Sequence, residues 1–539
     1  MLHPVLDVTN LNIVLTFSGI YILLFGFISL KTKQRWYLGE TVPSFITGIA
    51  FGPIGARFLR VNEWEYDKTA GTSEIAYGLS RLVIGIQLVK VGYELPKRYI
   101  KECLLELLIC LLPLMMISWL VSAGCVMLMV PDISFLASLI ISSCITCTDP
   151  LLSQSIAKGP FSDTYVRRGL REFISAEAGL NDGFGFPFLL LAVSLLRYAE
   201  TPENTFSLEQ FDLERGVPGY LDSVGKGRFG GGGIVALGHW VLEGVGYMIL
   251  LGGLIGGFVG ILGRRWVDQE GFLLVPVAMG LLLTGLCGCI GSDETLACFI
   301  AGCALNWNGA YHVETQSRHD SFNATLETLL NFATFLFLGA AMPWDQFHMP
   351  QSSGLTVSRL VGLGVLVMLF RRVPAMMLGY KFLGRGVCRD WREGLFLGWF
   401  GPIGIGAISY VEYARRLFPG PGESDSEINQ LTAVMRPVVY WLVLFSIIVH
   451  GLSVPVLNIL YKIFKVQPVR DHPVEIHMLS ENEPLPNNSI LLDGQRQSVI
   501  VNNQFSRVSD ESGDMRDTER DDTGSIVCER VEVELSSIK

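Results

Sequence analysis

Charged side chains are scarce. Asp, Glu, Lys and Arg make up 17% of the 539 residues, where a soluble chain of this size carries nearer a quarter. The shortage excludes a water-soluble globule, because the apolar residues that take the place of charge fall into runs long enough to cross a bilayer. Basic patches interleaved with aromatics are missing too, so nucleic acid is not among the expected partners. The first apolar run, 11–30, has no basic leader and no small-residue cleavage site, and is expected to be a retained helix rather than a signal peptide. Cysteine occurs 11 times, mostly inside apolar runs, and Cys144 and Cys147 form a C-x-x-C with no second pair. Zinc and redox readings have little to stand on there. No cofactor and no enzyme chemistry is expected.

What is present is a long series of apolar segments: 11–30, 40–58, 74–95, 103–130, 134–157, 172–197, 235–262, 271–290, 293–307, 322–342, 356–380, 393–415 and 434–464. They predict an all-α polytopic membrane protein of about 13 transmembrane helices. The membrane domain spans 1–466. A polar, acid-rich tail follows over 467–539, whose composition supports no core and predicts disorder. Lys and Arg concentrate in the connections at 31–35, 97–101, 158–171, 264–265, 308–321, 381–392 and 462–465. That bias puts the N-terminus outside and the tail in the cytosol. The glycines at 252, 253, 256, 257 and 260 read as a close helix-packing surface.

The chain is organised around Glu177-Ala178-Gly179-Leu180-Asn181-Asp182, inside one of these runs. An ionised Asp at the centre of a membrane helix costs roughly 2.5–3.5 kcal/mol, so an acid there defaults to function. Glu177 and Asp182 stand about 140° apart at helical pitch. Asp182, with Asn181 beside it, is expected to face one cavity as the working group, while Glu177 turns to another helix as a structural partner. Two segments carry breaks. Thr148-Asp149-Pro150 ends the fifth, and Gly401-Pro402 with Gly404 and Gly406 interrupts the twelfth; Pro150 and Pro402 each remove a helix bond and free backbone oxygens. If the segments form two inverted six-helix repeats around the seventh, the breaks fall at matching positions, which points to a secondary-transporter site where broken helices cross. Arg371 and Arg372 lie deep in the eleventh segment, and one of them can pair with Glu177. Asp293 and Glu294 are expected at the water interface, as helix-N-terminal acids with an auxiliary part in cation entry. Lys90 is expected to snorkel, and His450 to be a satisfied interior residue.

These residues resemble the monovalent cation/proton antiporter superfamily. The phrases G-Y-E-L-P-K-R-Y at 92–99, A-E-A-G-L-N-D-G-F-G-F-P-F and D-E-T-L-A-C-F-I-A-G are most similar to fungal plasma-membrane sodium/proton antiporters. The resemblance covers about 11–464 and implies that Asp182 binds the cation or proton with Asn181 beside it. It implies that Thr148 and Asp149 complete the sodium site and that Glu177 and Arg372 form a structural ion pair. It also implies a homodimer at the plasma membrane, exchanging sodium or lithium for protons across the lipid bilayer. The chain departs from relatives at Lys90, where others carry an acid, and at Gly401-Pro402, where animal members carry an Arg.

A carboxylate holds either a proton or a hard cation that prefers oxygen ligands. One such acid predicts electroneutral one-for-one exchange, and two would allow two protons per cation. A potassium-preferring antiporter of the same fold is the alternative. A membrane sensor with a signalling tail is the alternative from another class, and it would not need the paired broken helices. An intramembrane aspartyl protease also needs two buried acids, but Pro150 and Asn181 give these a different setting.

Overall fold

Without water to bond to, backbone N–H and C=O groups in apolar segments must satisfy one another, and along this chain they do so as helices. The computed structural model describes residues 10–36, 39–59, 61, 73–157, 160–198, 228–266, 272–317, 321–420, 422–466, 475–478, 489–491 and 498–501. Among them, 6 helical stretches, some of them interrupted, are long and apolar enough to cross a membrane: Glu74–Glu94, Leu104–Met129, Arg168–Arg197, Gly232–Arg265, Val357–Phe382 and Ser426–Ile463. Shorter apolar helices, including Thr41–Phe51, Phe135–Thr146, Val275–Ile290 and Glu294–Leu305, fill the intervals. The outward sides are apolar, with Leu105, Leu128, Leu254 and Phe258 each about two-thirds exposed. Such sides suit lipid and not water.

The chain divides into Met1–Arg470 and Asp471–Lys539. In the second unit, strands Glu475–Met478, Ser489–Leu491 and Ser498–Val501 form an antiparallel sheet, with the last strand in the middle. The expectation for the tail otherwise lies outside the described residues, as does most of the 197–233 connection.

Within the first unit, the Glu294–Leu305 helix packs between Ser73–Glu94 and Gly252–Trp266. The glycine stripe makes this approach possible on one side only. A Cβ at Gly252, Gly256 or Gly260 would meet the backbone of Asp293, Ala297 or Ala301, whereas Gly253 has nothing within 4 Å.

The eleventh segment departs from expectation. It is not one helix but two, Val357–Phe370 and Val373–Gly379, interrupted at Arg371 and Arg372. Pro374 supplies the reason, since it has no N–H to return to the Phe370 carbonyl. Both arginines turn inward, 3% and 6% exposed, so neither snorkels.

The two sides of the glycine helix make separate predictions. Gly256→Ala should destabilise by about 1–3 kcal/mol, the cost of overpacking. Gly253→Ala should be neutral or stabilising by up to about 1 kcal/mol, through helix propensity. Thermal unfolding in detergent reads both, and equal effects would mean that the helix packs by another face.

Candidate functional site

The first broken helix starts at a cap, with Ser134 Oγ accepting from the Ala137 N–H at 3.1 Å. It stops at Thr146, runs extended through Cys147, and resumes as Pro150–Ala157. The second runs Trp391–Trp399, breaks over 400–404 and resumes as Ile405–Arg416. The breaks clasp each other: the Asp149 N–H donates to the Pro402 carbonyl at 2.9 Å. Asp149 also serves both restarting helices. Its Oδ1 accepts from the Leu152 N–H at 2.9 Å and its Oδ2 from the Gly406 N–H at 3.4 Å. Helix N-termini carry about half a positive charge, and one carboxylate answers two of them. A Cβ at Gly404 would overlap that carboxylate, so the second break needs glycine there.

The opposite ends are answered by Arg371. Its Nη1 donates to the carbonyls of Ile145, Thr146 and Cys147, and its Nη2 to that of Gly401. The Thr146 carbonyl freed by Pro150 and the Gly401 carbonyl next to Pro402 are therefore both occupied by a guanidinium. A fixed cation is the natural partner for two negative helix C-termini buried together. Around the second break, the Ile403 N–H donates to Ser446 Oγ at 2.8 Å, and His450 Nε2 lies 2.9 Å from the Trp399 carbonyl. Nδ1 lies 3.0 Å from both the hydroxyl and the main-chain carbonyl of Ser446, so both ring nitrogens are engaged.

Asp182 stands beside this crossing. It is 1% exposed, and a Cβ on Gly406 would press against its Oδ1. Asp149 and Asp182 thus both abut Gly406. Neither Asp182 carboxylate oxygen has a hydrogen-bond partner among the described residues, and neither does Thr148 Oγ1, which is also buried. The main-chain carbonyl of Asp182 is bonded, by the Tyr410 hydroxyl at 2.5 Å and more loosely by Thr295 Oγ1 at 3.4 Å.

Glu177 faces elsewhere. Arg372 donates to its two oxygens at 3.0 and 2.7 Å and to the Leu397 carbonyl at 3.1 Å, so Arg372 rather than Arg371 is the partner. Asn181 sides with this pair, its Nδ2 donating to Glu177 Oε1 at 2.8 Å. The expectation that Asn181 shares the cavity of Asp182 is corrected by helix geometry: i,i+4 neighbours share a face, and adjacent residues do not. A small cavity, room for about one water, lies against Glu177, Asn181, Arg371 and Arg372.

Asp293 and Glu294 are not at the water interface. Asp293 caps the Glu294–Leu305 helix inside the protein, 0% exposed, with Oδ1 accepting from the N–H groups of Thr295 and Leu296. Glu294 pairs with Arg81, 213 residues away in sequence, which no local pattern could reveal. Lys90 does not snorkel either; it pairs with Glu327 on the Ser321–Ala340 helix. Sequence reading also missed Glu412, fully buried, which accepts from Tyr440 and Arg415 at 2.9 Å each. Its signal was an acid inside the apolar 393–415 segment, one turn from that segment's end.

The family profile described as "Sodium/hydrogen exchanger, transmembrane" matches residues 20–459. A probable Na(+)/H(+) antiporter of Schizosaccharomyces pombe is 34% identical over 468 residues, 83% of this chain and 56% of that protein. The Na(+)/H(+) antiporter of Saccharomyces cerevisiae is 31% identical over 84% of this chain and 44% of its own length. A second Schizosaccharomyces pombe Na(+)/H(+) antiporter is 31% identical, with 92% of its length covered. The chain thus spans about half the length of the first two relatives. The sodium proton antiporter MjNhaP1 of Methanocaldococcus jannaschii shares the fold, with a TM-score of 0.54 at 16% identity over 82% of this chain and 100% of that one. The chain is a multi-span helical membrane protein.

The ion pair makes a prediction of its own. Glu177→Gln or Arg372→Leu alone should cost roughly 3–5 kcal/mol, the range for breaking a buried pair from one side. The double change should recover part of that loss. Strict additivity in thermal unfolding would mean that the two residues are not energetically coupled.

Proposed function

The chain belongs to the sodium/hydrogen exchanger family, and from that premise we propose that it is a secondary active antiporter exchanging cytosolic sodium for external protons by alternating access. One observation carries the reading. Asp182 is buried beside the crossing of two broken helices, and neither of its carboxylate oxygens has a partner among the described residues, while the helix ends at the crossing are answered by Asp149 and Arg371. Such a carboxylate must be neutralised by something that comes and goes. A proton does so, and so does a hard monovalent cation; because both need the same oxygens, they exclude each other.

The steps follow from this competition. Facing the cytosol, Asp182 gives up its proton and takes sodium, with Thr148 Oγ1 and Asp149 as the neighbouring oxygens. Facing outward, it releases sodium and takes a proton, and the proton gradient drives the cycle. Asp149 is held at the crossing by backbone donors on both oxygens, which leaves Asp182 as the exchanging acid and favours one proton per cation. Glu177 and Arg372 neutralise each other and hold the acidic helix to the second broken helix through both halves of the cycle. Asp293, next to the Asp182 carbonyl through Thr295, is the auxiliary acid on this route. The same reading includes inverted halves, a cytosolic tail, a plasma-membrane location and a homodimer, the last two on the family resemblance alone.

In proteoliposomes, sodium should drive proton efflux, with lithium and potassium run beside it to define the cation range. Asp182→Asn should reduce exchange by at least about a hundredfold, since the group that carries both cargoes is gone, while expression and melting temperature stay near those of the unaltered protein. Near-normal sodium-driven proton flux in that variant removes Asp182 from the mechanism. Activity with potassium alone would replace sodium as the cargo.

A further inference from the structure

Tyr410 has no part in the exchange just described, yet its hydroxyl donates to the main-chain carbonyl of Asp182 at 2.5 Å. The need for that donor comes from the sequence around it. The acidic helix Arg168–Phe184 is interrupted at Gly185, and Asp182 lies in its last turn. Carbonyls in the last turn of an interrupted helix must find donors elsewhere. Tyr410 is placed to provide one. Its ring is 2% exposed and packs on Phe186 with centroids 4.6 Å apart. A Cβ at Gly185 would crowd both the Tyr410 hydroxyl and Cys147 Sγ. The hydroxyl therefore sits in a gap that the glycine leaves open, at the residue whose side chain is the working acid.

We propose that Tyr410 is a positioning residue for Asp182. Its hydroxyl pins the main chain at 182, which holds the carboxylate against Gly406 and keeps both oxygens turned to the cation. Tyr410 and Gly406 lie on one helix, Ile405–Arg416, so the anchor and the surface that the carboxylate abuts move as one piece. The consequence is selectivity. A carboxylate that cannot follow an ion of the wrong radius discriminates by size, whereas a loosened one adapts to several. The inference deepens the antiporter reading and rests on it.

Tyr410→Phe deletes the hydroxyl and keeps the ring on Phe186. In proteoliposomes, the apparent KM for sodium should rise about fivefold to tenfold, the scale of one lost hydrogen bond to a buried carbonyl. The maximal rate should stay within about twofold, and the ratio of lithium to sodium KM should move towards one. Tyr413→Phe is the control: its ring also packs on Phe186, with centroids 5.3 Å apart, but no hydroxyl bond ties it to Asp182. Its KM values should not move. A second readout, the rise in melting temperature with added sodium, should shrink for Tyr410→Phe and persist for Tyr413→Phe, and it needs no transport. Unchanged KM, selectivity and sodium-dependent melting in Tyr410→Phe overturn the proposal. So does a fall in maximal rate and thermal stability alone, which would make the hydroxyl merely structural. Absence of exchange in the unaltered protein would instead defeat the antiporter reading and take this inference with it.

Discussion

Two helices interrupted in the middle of a membrane protein leave four charged ends with no water to cover them, and the arrangement of the site follows from how those ends are answered. The positive ends of Pro150–Ala157 and Ile405–Arg416 meet at the Asp149 carboxylate. The negative ends of Phe135–Thr146 and Trp391–Trp399 meet at the Arg371 guanidinium. Each end is equivalent to about half a charge, so one acid and one base suffice for four ends. Arg371 suits this because its planar fork offers several donors at once, which a lysine could not match. Its neighbour Arg372 points the other way, into a bidentate pair with Glu177. The break that Pro374 makes between the two helices is what carries two adjacent arginines to separate tasks.

Once these debts are settled, Asp182 stands out as the carboxylate at the crossing with no partner among the described residues. Its main chain is held by Tyr410 and its flank by Gly406, while its oxygens remain open. Buried charges without partners are costly. On the proposed reading, the partner's place at Asp182 is left to an ion that binds and departs. The same contrast sets three of the other buried acids apart. Glu177 is paired to Arg372, Glu294 to Arg81, and Glu412 is enclosed by Tyr440 and Arg415.

Much of this was legible in the amino-acid sequence, for identifiable reasons. Helix positions followed from apolar length, and the breaks at Pro150 and Pro402 from the chemistry of proline, because both are local. The burial of Asp182 was legible because it lies at the centre of an apolar run. What was misread depended on contacts distant in sequence. Arg371 could be seen to be buried, but the carbonyls it bonds come from segments more than 200 residues earlier and 30 residues later. Glu294 was placed at the water surface because Arg81 is invisible from its own helix. Asn181 is the exception: the i,i+4 spacing to Glu177 was there to be read, and adjacency to Asp182 was weighed in its place. The Arg371–Arg372 interruption was likewise available in R-R-V-P.

The central claim is that sodium and protons occupy one carboxylate by turns. The most direct measurement is the apparent sodium affinity, from initial rates over a sodium series, at several symmetric pH values in proteoliposomes. Competition at Asp182 predicts that affinity weakens about tenfold for each unit of acidification below the pKa of the site. Above that pKa it should level off, while turnover falls for lack of protons to carry the return step. A sodium affinity that stays constant across the range, with only the maximal rate changing, would mean that protonation acts elsewhere and that the two ions do not share Asp182.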